Sequence, residues 1–311
     1  MPTVDRNAAP LAVHTLRTLS LEPGGHPRGQ SHLSAASGLV CHAGRVYVIG
    51  DDELHLAVFA DRHSPGVLHR VFEGALPKSK KARKRAKPDL ETLLWWPSAA
   101  GSPAMVALGS GSRQNRQRGV LITLDADGLP ATPVQPFELA PLYQPLREEF
   151  DSVNIEGAFV LGDELVLLNR GLADGRDNAA VHYRLSDVQA LVLGDSTRRP
   201  PRAVHQHRLG GVNGVALGFT DGKSLGNDGR SGWAFTAVAE DSVDAVADGG
   251  FLGSVVGMID GQGVRVAQRR LAPDVKVEGI AVHRQGRSTT LCLVTDADDP
   301  GLPSSLLLAT W

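Results

Sequence analysis

The chain has 311 residues, of which 42% are hydrophobic, and its formal net charge at pH 7 is −2. This hydrophobic content is ample for a folded core, and the near-neutral charge gives no reason to expect nucleic acid or an anionic membrane as a partner. No apolar run approaches the roughly 20 residues that a membrane-spanning helix needs. The polar N-terminus lacks the apolar segment of a signal peptide, so we predict a cytoplasmic protein.

Short apolar segments separated by turns rich in Gly, Pro and Asp recur along the chain and predict β-strands. The N-terminal segment 12–21 alternates apolar and polar residues, which is typical of an outer strand, and the segment 141–150 predicts a helical turn. The strands predicted in the five repeats are 38–41, 45–49, 54–59 and 67–72; 92–96, 104–108, 119–124 and 134–139; 155–161, 165–168, 179–185 and 190–193, closed by 203–209; 215–219, 233–238, 253–259 and 264–271; and 279–283, 290–294 and 305–310.

Four-stranded units that recur in this way, with no convincing long helix, predict an all-β protein with the β-propeller fold. The last unit has three strands, and the segment 12–21 has the pattern needed to complete it, which removes the last free sheet edge. We therefore predict one domain over 1–311 with five blades, closed by the N-terminal strand, and flexible residues at 1–11. Six blades are the alternative if the third repeat hides another unit, and a sandwich or jelly roll is the rival all-β fold.

Two local features leave alternatives open. Residues 74–88 contain a run of lysines and arginines that predicts a solvated loop insertion, with an anion or nucleic-acid contact as the alternative. The run lacks interleaved aromatic residues, which weakens the nucleic-acid alternative. Cys41 and Cys292 each lie inside an apolar strand and are predicted to be buried reduced thiols, with a reactive thiol or a single bridge as the alternative.

Polar residues mark two positions in every repeat, in contrast with the aliphatic residues around them. In a propeller, the start of each blade's first strand and the end of its second strand meet at one mouth of the central channel. The strand-start set is Ser37, Glu91, Glu156, Asn213 and Glu278. The strand-end set is Asp51 with Asp52, Ser110 with Ser112, Asn169 with Arg170, Glu240 with Asp241, and Asp296 with Asp298 and Asp299.

Electrostatics limits what such a ring of carboxylates can be. Two carboxylates about 5 Å apart repel by roughly 3 kcal/mol at an effective dielectric constant near 20. A hard divalent cation such as Ca²⁺ can relieve this repulsion, because it binds six to eight oxygen ligands. Basic neighbours can also pair with the acids, and the candidates are Lys87, Arg113, Arg170 and Lys276. Water filling the channel is the third possibility.

The phrase Glu156-Gly157, repeated as Glu278-Gly279 among ring-forming Asn and Asp residues, resembles the calcium-dependent propellers. These include the gluconolactonase/regucalcin-like lactonases, the strictosidine-synthase-like proteins and the phytase-like esterases. In the lactonases a Glu, an Asn and an Asp hold one divalent metal ion. The resemblance implies Glu156, Asn213 and Asp296 as ligands of a Ca²⁺ ion, with Glu278 and Glu91 as further ligands.

The resulting functional prediction is a metal-dependent hydrolase that acts on a lactone, a carboxyl ester or a phosphate ester of a small molecule. A carboxylate that does not bind the metal, Glu240 or Asp298, is the predicted general base. Arg170, or Arg113, is predicted to stabilise a developing oxyanion. The alternative, from a different class, is a non-catalytic propeller that binds a small molecule or a protein partner at its mouth.

Overall fold

Five mainly antiparallel sheets surround a central axis, and each is built on one of the repeats in the sequence. The structure is a computed structural model that describes residues 9–97, 101–172, 174–226, 231–241, 250–286 and 288–311. The N-terminal strands are β1 (Leu11–Ala12) and β2 (His14–Thr18). Blade 1 contains β3 (Ala36–His42), β4 (Arg45–Gly50), β5 (His55–Phe59) and β6 (Val67–Arg70). After helix α1 (Lys80–Ala86), blade 2 contains β7 (Leu90–Trp96), β8 (Ala104–Gly109), a 3₁₀ turn (Gln114–Arg116), β9 (Arg118–Thr123) and β10 (Gln135–Glu138).

The remaining three blades follow the same order from the axis outward. Helix α2 (Ala140–Glu149) precedes blade 3 in the sequence. Blade 3 contains the strands β11 (Ile155–Leu161), β12 (Glu164–Asn169), β13 (Ala179–Arg184) and β14 (Ala203–Gln206), and helix α3 (Leu185–Val192) lies between the last two. Blade 4 contains β15 (Gly211–Val212), β16 (Val215–Ser224), β17 (Trp233–Asp241), β18 (Gly250–Ile259) and β19 (Arg265–Ala272). Blade 5 contains β20 (Val277–Gln285), β21 (Ser288–Thr295) and β22 (Ser305–Thr310).

The innermost strands β3, β7, β11, β16 and β20 contact one another in this order, and β20 returns to β3. Glycine permits the closest of these approaches. A Cβ atom on Gly38 would lie 2.4 Å from the backbone nitrogen of Leu93, and one on Gly279 would lie 2.1 Å from the carbonyl oxygen of Ser37. The small residue that follows the polar strand start is therefore needed to let neighbouring blades meet at the axis.

The hydrophobic core lies between the blades. Five buried clusters each combine apolar side chains of two neighbouring sheets, so one cluster fills each of the five interfaces. In the cluster between blades 2 and 3, for example, Leu94 and Val106 pack with Ala158 and Leu165. Because apolar side chains cover both faces of each sheet, no blade can be stable alone, and burial is completed only by the closed ring.

The N-terminal segment closes the ring, as predicted. β2 pairs antiparallel with β22 and becomes the outer strand of blade 5, with Thr15 opposite Leu307. β1 pairs in parallel with β19 and extends blade 4, which the sequence did not predict. One short segment thus ties the last two blades to the first through the connection to β3.

Two elements differ from the predictions. The predicted strand 190–193 lies at the end of α3, where the apolar residues Leu185, Val188, Leu191 and Val192 follow a helical spacing of three to four residues. The extra apolar segment of the third repeat is therefore a helix and not a sixth blade, so the prediction of five blades is confirmed. Helix α2 occupies the segment where a short helical turn over the surface was predicted. It is not confined to the surface, because it buries Leu142 in the core between blades 2 and 3.

The basic segment is more ordered than a solvated loop, because α1 lies within it and buries Arg83, while Lys87 directly after the helix is also buried. Cys41 is exposed and Cys292 is half-buried, so the prediction of two buried thiols was wrong for Cys41, which lies near the open end of β3. No helix in the described part of the chain is long and apolar enough to cross a bilayer. Of residues 1–11, predicted to be flexible, 1–8 lie outside the described residues, whereas Leu11 begins β1 and is buried, so the prediction was wrong for Leu11.

Candidate functional site

Each inner strand contains a β-bulge near its start. The register of the ladder with the second strand shifts at this point and leaves one residue unpaired in four blades and two in blade 1. A bulge redirects the side chain of the extra residue out of the regular alternation. The bulge residues are Ser37 with Gly38, Glu91, Glu156, Thr220 and Glu278. Four of the five predicted strand-start residues therefore occupy equivalent positions.

Asn213 is the exception. It does not start the inner strand of blade 4 but forms, with Gly214, the two-residue turn between β15 and β16. Both turn residues have left-handed backbones, with φ angles of 51° and 89°, which is the conformation that an Asn-Gly hairpin turn adopts. Asn213 is exposed at this turn, and the equivalent bulge position is Thr220, near the middle of a longer strand.

The residue two positions before the bulge also belongs to the site in three blades, where it is Asp89, Asn154 or Lys276. A backbone hydrogen bond joins this position to the end of the second strand. The amide of Ser110 donates to the carbonyl of Asp89 at 2.9 Å, and the amide of Arg170 donates to that of Asn154 at 2.8 Å. The corresponding bonds run from Asp51 to Ala35 at 3.1 Å and from Asp296 to Lys276 at 3.2 Å. This repeated bond brings the two predicted polar sets together at one mouth of the channel.

At blades 1 and 2, three carboxylates converge, and we refer to Asp51, Asp89 and Glu91 as the acidic triad. Their nearest oxygen atoms all lie within 4.8 Å of one another. The ammonium of Lys87 contacts Asp51 and lies 2.8 Å from Oδ1 of Asp89. The other Asp89 oxygen accepts hydrogen bonds from Arg116 at 2.6 Å and from the Ser110 hydroxyl at 2.5 Å. A cation thus already belongs to this cluster, supplied by the chain itself.

The members of the acidic triad differ in how well their charges are compensated. Glu91 makes no hydrogen bond or ion pair with any residue in the described part of the chain, and burial, reinforced by Glu156 and Asp89, raises its pKa well above the ordinary value. Burial also raises the pKa of Asp51 to about 6, against the attraction of Lys87. Burial alone would raise the pKa of Asp89 as well, but Lys87 and Arg116 outweigh it and lower that pKa. Glu91 is therefore the carboxylate that most needs a further cation.

At blades 3 to 5, acids and bases alternate, and we call this group the charge ladder: Glu156, Arg170, Glu240, Lys276, Glu278 and Asp298. The Arg170 guanidinium lies 2.6 Å from Glu240 and 3.6 Å from Glu156. The Lys276 ammonium lies 2.6 Å from Asp298, 3.4 Å from Glu240 and 3.5 Å from Glu278. Each base is thus shared between carboxylates of different blades, and the two bases offset half of the formal charge of the four carboxylates.

Glu156 joins the two groups. Its Oε1 accepts a hydrogen bond from the Asn154 amide at 2.6 Å. Burial, followed by the repulsion of Glu278 and Asp89, raises its pKa to about 8 despite the nearby Arg170. Room for Arg170 comes from Gly218, where a Cβ atom would lie 2.8 Å from the arginine Cγ. The guanidinium is consequently held between blades 3 and 4 by packing as well as by charge.

A small cavity of about 50 Å³ opens at the mouth between blades 1 and 5. Its walls include Asp51, Asp296, Asp298 and Lys87. Burial and the proximity of Asp51 raise the pKa of Asp296 well above the usual range. The backbone amide of Asp298 donates to Asp296 at 2.8 Å. The cavity therefore adjoins the acidic triad and carries a carboxylate that holds its proton more tightly than usual.

Helix α1 docks beside this cavity. Its Lys80 ammonium donates to the carbonyl of Asp298 at 2.8 Å, and Arg83 donates to Asp52 at 2.7 Å. Arg116 and Asn115 donate to main-chain carbonyls in or next to the helix. The basic segment is thus a source of internal counterions for the acidic mouth. Arg113, which the sequence also suggested for this role, is exposed and pairs with no acid among the described residues.

Below the mouth, Asp221 and Lys223 obstruct the channel. Asp221 is fully buried and accepts hydrogen bonds from the amides of Gly222 and, in blade 5, Ile280 at 2.7 and 3.0 Å. The Lys223 ammonium bonds to Asp221 and reaches across to the carbonyl of Leu93 in blade 2, 3.1 Å away. This contact joins the non-adjacent blades 4 and 2, so polar groups close the channel below the mouth.

Sequence reasoning found most of this site but missed three members. Glu91, Glu156, Glu278, Asp296, Glu240, Asp298 and Arg170 all lie at the mouth, whereas Asn213 lies in the hairpin turn. Asp89, Asn154 and Arg116 were missed. A signal for the first two exists, because a polar residue stands two positions before the glutamate in Asp89-Leu-Glu91, Asn154-Ile-Glu156 and Lys276-Val-Glu278. No comparable pattern marks Arg116.

Comparisons with solved structures find matches at low sequence identity that cover almost the whole chain. Glutaminyl cyclase from Myxococcus xanthus is 13% identical, with a TM-score of 0.47, over 97% of this chain and 100% of that chain. Regucalcin, a calcium-binding protein from Agrobacterium tumefaciens, is 10% identical, with a TM-score of 0.45, over 100% of this chain and 97% of that chain. A glycosyl hydrolase from Bacteroides ovatus is 9% identical, with a TM-score of 0.49, over 99% and 92% of the two chains. Likenesses this remote carry no conclusion about function.

Sequence comparison is more informative about the family than about function. No curated protein matches the chain. A model of the family of unknown function DUF6929 matches residues 32–310, which is nearly the whole propeller. The chain belongs to the DUF6929 family.

Proposed function

We propose that the acidic mouth binds a hard divalent cation and that the protein is a metal-dependent hydrolase of a small lactone, carboxyl ester or phosphate ester. The convergence of three carboxylates within 4.8 Å supports this proposal above all. Their oxygen ligands are of the kind that Ca²⁺, the expected ion, prefers, and three protein ligands leave coordination positions for water and substrate. Glu91 lacks a partner among the described residues, so the donor set fits such an ion chemically.

When bound, the ion would polarise a carbonyl or phosphoryl oxygen and lower the pKa of a bound water. The side chains around it have separate tasks. Asp296 is the carboxylate best suited to accept a proton near neutral pH, because its pKa is raised and it lines the adjoining cavity. Glu240 and Asp298, the bases expected from sequence, instead accept charged hydrogen bonds from Arg170 and Lys276, respectively, and hold those cations in place.

The test is thermal unfolding of chelator-treated protein titrated with Ca²⁺, Mg²⁺, Mn²⁺ and Zn²⁺. A ligand of the native state stabilises it by about 2.7 kcal/mol at a hundredfold excess over its dissociation constant. For a chain of this size the unfolding midpoint should rise by at least about a degree. Glu91→Gln should abolish the shift. Glu278→Gln, at the equivalent bulge of blade 5, is the matched control and should retain it. No shift with any of the four ions would reject the metal site.

Hydrolysis is tested next, with the ion that binds. Representative lactones, aryl esters and phosphomonoesters are incubated with the loaded protein, and turnover should disappear in Glu91→Gln and fall in Asp296→Asn. Metal binding without turnover of any class would support cation binding but reject the hydrolase.

A non-catalytic propeller is the second candidate, and the charge ladder favours it. Each of its four carboxylates on blades 3 to 5 contacts Arg170 or Lys276, as expected for a binding surface that needs no metal. This candidate predicts an unchanged midpoint with all four ions. It also predicts that ladder substitutions alter stability or ligand binding, with no hydrolysis to lose.

A further inference from the structure

The two cysteines of the chain face each other across the interface between blades 1 and 5. Cys41 lies in the inner strand β3, and Cys292 lies in β21 opposite Ala281 of the inner strand β20. Side chains alternate between the two faces of a strand. Leu39 packs in the core cluster shared by blades 5 and 1, whereas Val40 packs in the cluster shared by blades 1 and 2. The alternation therefore directs Cys41 toward blade 5.

Cys292 points to the same interface from the other side. Its side chain packs against the cluster that blades 5 and 1 share, at the interface where β3 contacts both β20 and β21, so the two cysteines face each other. Close approach of the inner strands makes this contact possible. A Cβ atom added to Gly279 of β20 would lie only 3.3 Å from the Cβ of Leu39 in β3. Cys41 lies two residues beyond Leu39 in β3, and Cys292 is paired with Ala281, two residues beyond Gly279 in β20, so the two cysteines lie at the same level of the interface.

Both thiols can be reached from solvent. Cys41 is exposed, Cys292 is half-buried, and both are free. Their protonation differs, because the interaction between the two thiols raises the pKa of Cys41 and lowers that of Cys292, the latter aided by Arg62. The lower pKa makes Cys292 the more readily ionised, and so the more reactive, of the two thiols, and Cys41 is placed to resolve its oxidised form.

We propose that Cys41 and Cys292 form a redox-active dithiol that closes to a disulfide across the interface of blades 5 and 1. With hydrogen peroxide as oxidant, the Cys292 thiolate attacks one peroxide oxygen, the O–O bond breaks, and protonation releases one water and leaves a sulfenic acid. The Cys41 sulfur then attacks the Cys292 sulfur and forms the S–S bond, and the sulfenic hydroxyl leaves with the Cys41 proton as a second water. Both thiols are oxidised together by two electrons, and one peroxide is reduced to two waters.

The position of this bond gives it a structural consequence. Blades 5 and 1 are the two ends of the ring, which is otherwise closed by the pairing of β2 with β22 and by side-chain packing. A covalent bond between residues 41 and 292 encloses most of the chain. Cross-links over long loops restrict the unfolded state most strongly, so oxidation should stabilise the closed ring.

The test treats the full chain with hydrogen peroxide at neutral pH. The intact mass should fall by two hydrogens, and a non-reducing digest should contain a peptide that links Cys41 to Cys292. The unfolding midpoint should rise on the order of 5 °C and return to its starting value with dithiothreitol. Gain of oxygen with no link between the peptides, a dimer joined through Cys41, or an unchanged midpoint despite complete linkage would each overturn the proposal.

Two variants assign the order of the steps. In Cys41→Ser, Cys292 should accumulate as a sulfenic acid that dimedone traps. In Cys292→Ser, Cys41 should react several times more slowly with peroxide. The reverse pattern would show that Cys41 is the nucleophile and overturn the assigned roles. If either variant folds poorly, the intact-mass measurement on the wild-type protein still tests whether the disulfide forms.

Discussion

The charge ladder and the acidic triad differ in how their carboxylates pair with basic side chains. In the charge ladder of blades 3 to 5, Arg170 and Lys276 each bridge carboxylates from different blades. In the acidic triad of blades 1 and 2, Lys87 and Arg116 converge on Asp51 and Asp89 and leave Glu91 without a partner among the residues that the structure describes. The ladder takes its bases from the ends of its own strands, whereas the triad depends on segments between strands. We therefore expect the ladder to act mainly as a structural element, and the triad is the part of the mouth that we propose binds an added cation.

The largest expected effect is on the ladder. Arg170→Met leaves Glu156 and Glu240 without their shared cation in a buried setting, and should lower the free energy of unfolding by about 3 kcal/mol. Urea unfolding measures this, with and without the divalent ion. The control is Arg176→Met, which removes two exposed ion pairs and should change nothing measurable. Full rescue of Arg170→Met by a divalent ion would contradict the separation of ladder and triad.

The next effect concerns the triad. Lys87→Met removes the internal cation that competes with a metal ion for Asp51 and Asp89. The variant should be less stable without metal and should bind the divalent ion at least about tenfold more tightly, equivalent to about 1.4 kcal/mol. Isothermal titration calorimetry measures the affinity. Unchanged or weaker binding would show that Lys87 and the metal ion do not share the site.

A third effect is the pH dependence of the metal-free protein. The pKa of Asp51 is raised to about 6 and that of Glu156 to about 8, so between about pH 4 and pH 8 the folded state holds more protons than the unfolded state. Stability should consequently fall as the pH rises through this window, since the unfolded carboxyls ionise first. Differential scanning calorimetry from pH 5 to pH 8 tests the sign. A saturating divalent ion should reduce the slope, and a midpoint that rises with pH would refute this account.

The smallest effect lies outside both groups. Asn213→Ala should cost about 1 kcal/mol, because alanine tolerates the left-handed backbone of the turn poorly. It should leave the metal response intact, and Asn213→Gly should be nearly neutral. Thermal unfolding with and without the ion measures both. Loss of the metal-induced shift in Asn213→Ala would contradict this account and support the sequence-based prediction that Asn213 is a metal ligand.

The sequence predicted the fold well because the apolar periodicity that it carries is the cause of the fold. Repeated short strands, a three-stranded last unit and an unassigned N-terminal strand together favour a closed ring of five blades. The misassigned segment 190–193 shows where this reasoning failed. An apolar run of that length fits a strand or a helix end equally well, and only the spacing from Leu185 onward identifies α3.

Local patterns in the sequence determined which polar residues reach the mouth. An apolar residue, a glutamate and a small residue, as in Ile155-Glu156-Gly157, are sufficient to specify a bulge beside a close approach of two strands. Asn213 misled because Asn-Gly is a stronger signal for a hairpin turn than for a strand start. The bulge of blade 4 has Thr220 in place of a carboxylate, so the pattern of strand-start glutamates does not identify its position in the sequence.

Only the tertiary structure decided which charges pair. Lys87 and Asp51 are far apart in sequence, as are Arg170 and Glu240, and each pair meets because the blades place their strand ends around one axis. The same closure places Cys41 beside Cys292. Coulomb interactions depend on distance and burial, which a repeat pattern does not contain. The sequence by itself therefore determined the ring and its acidic mouth, and three-dimensional packing decided which carboxylates pair with bases and which one, Glu91, has no partner in the described part of the chain.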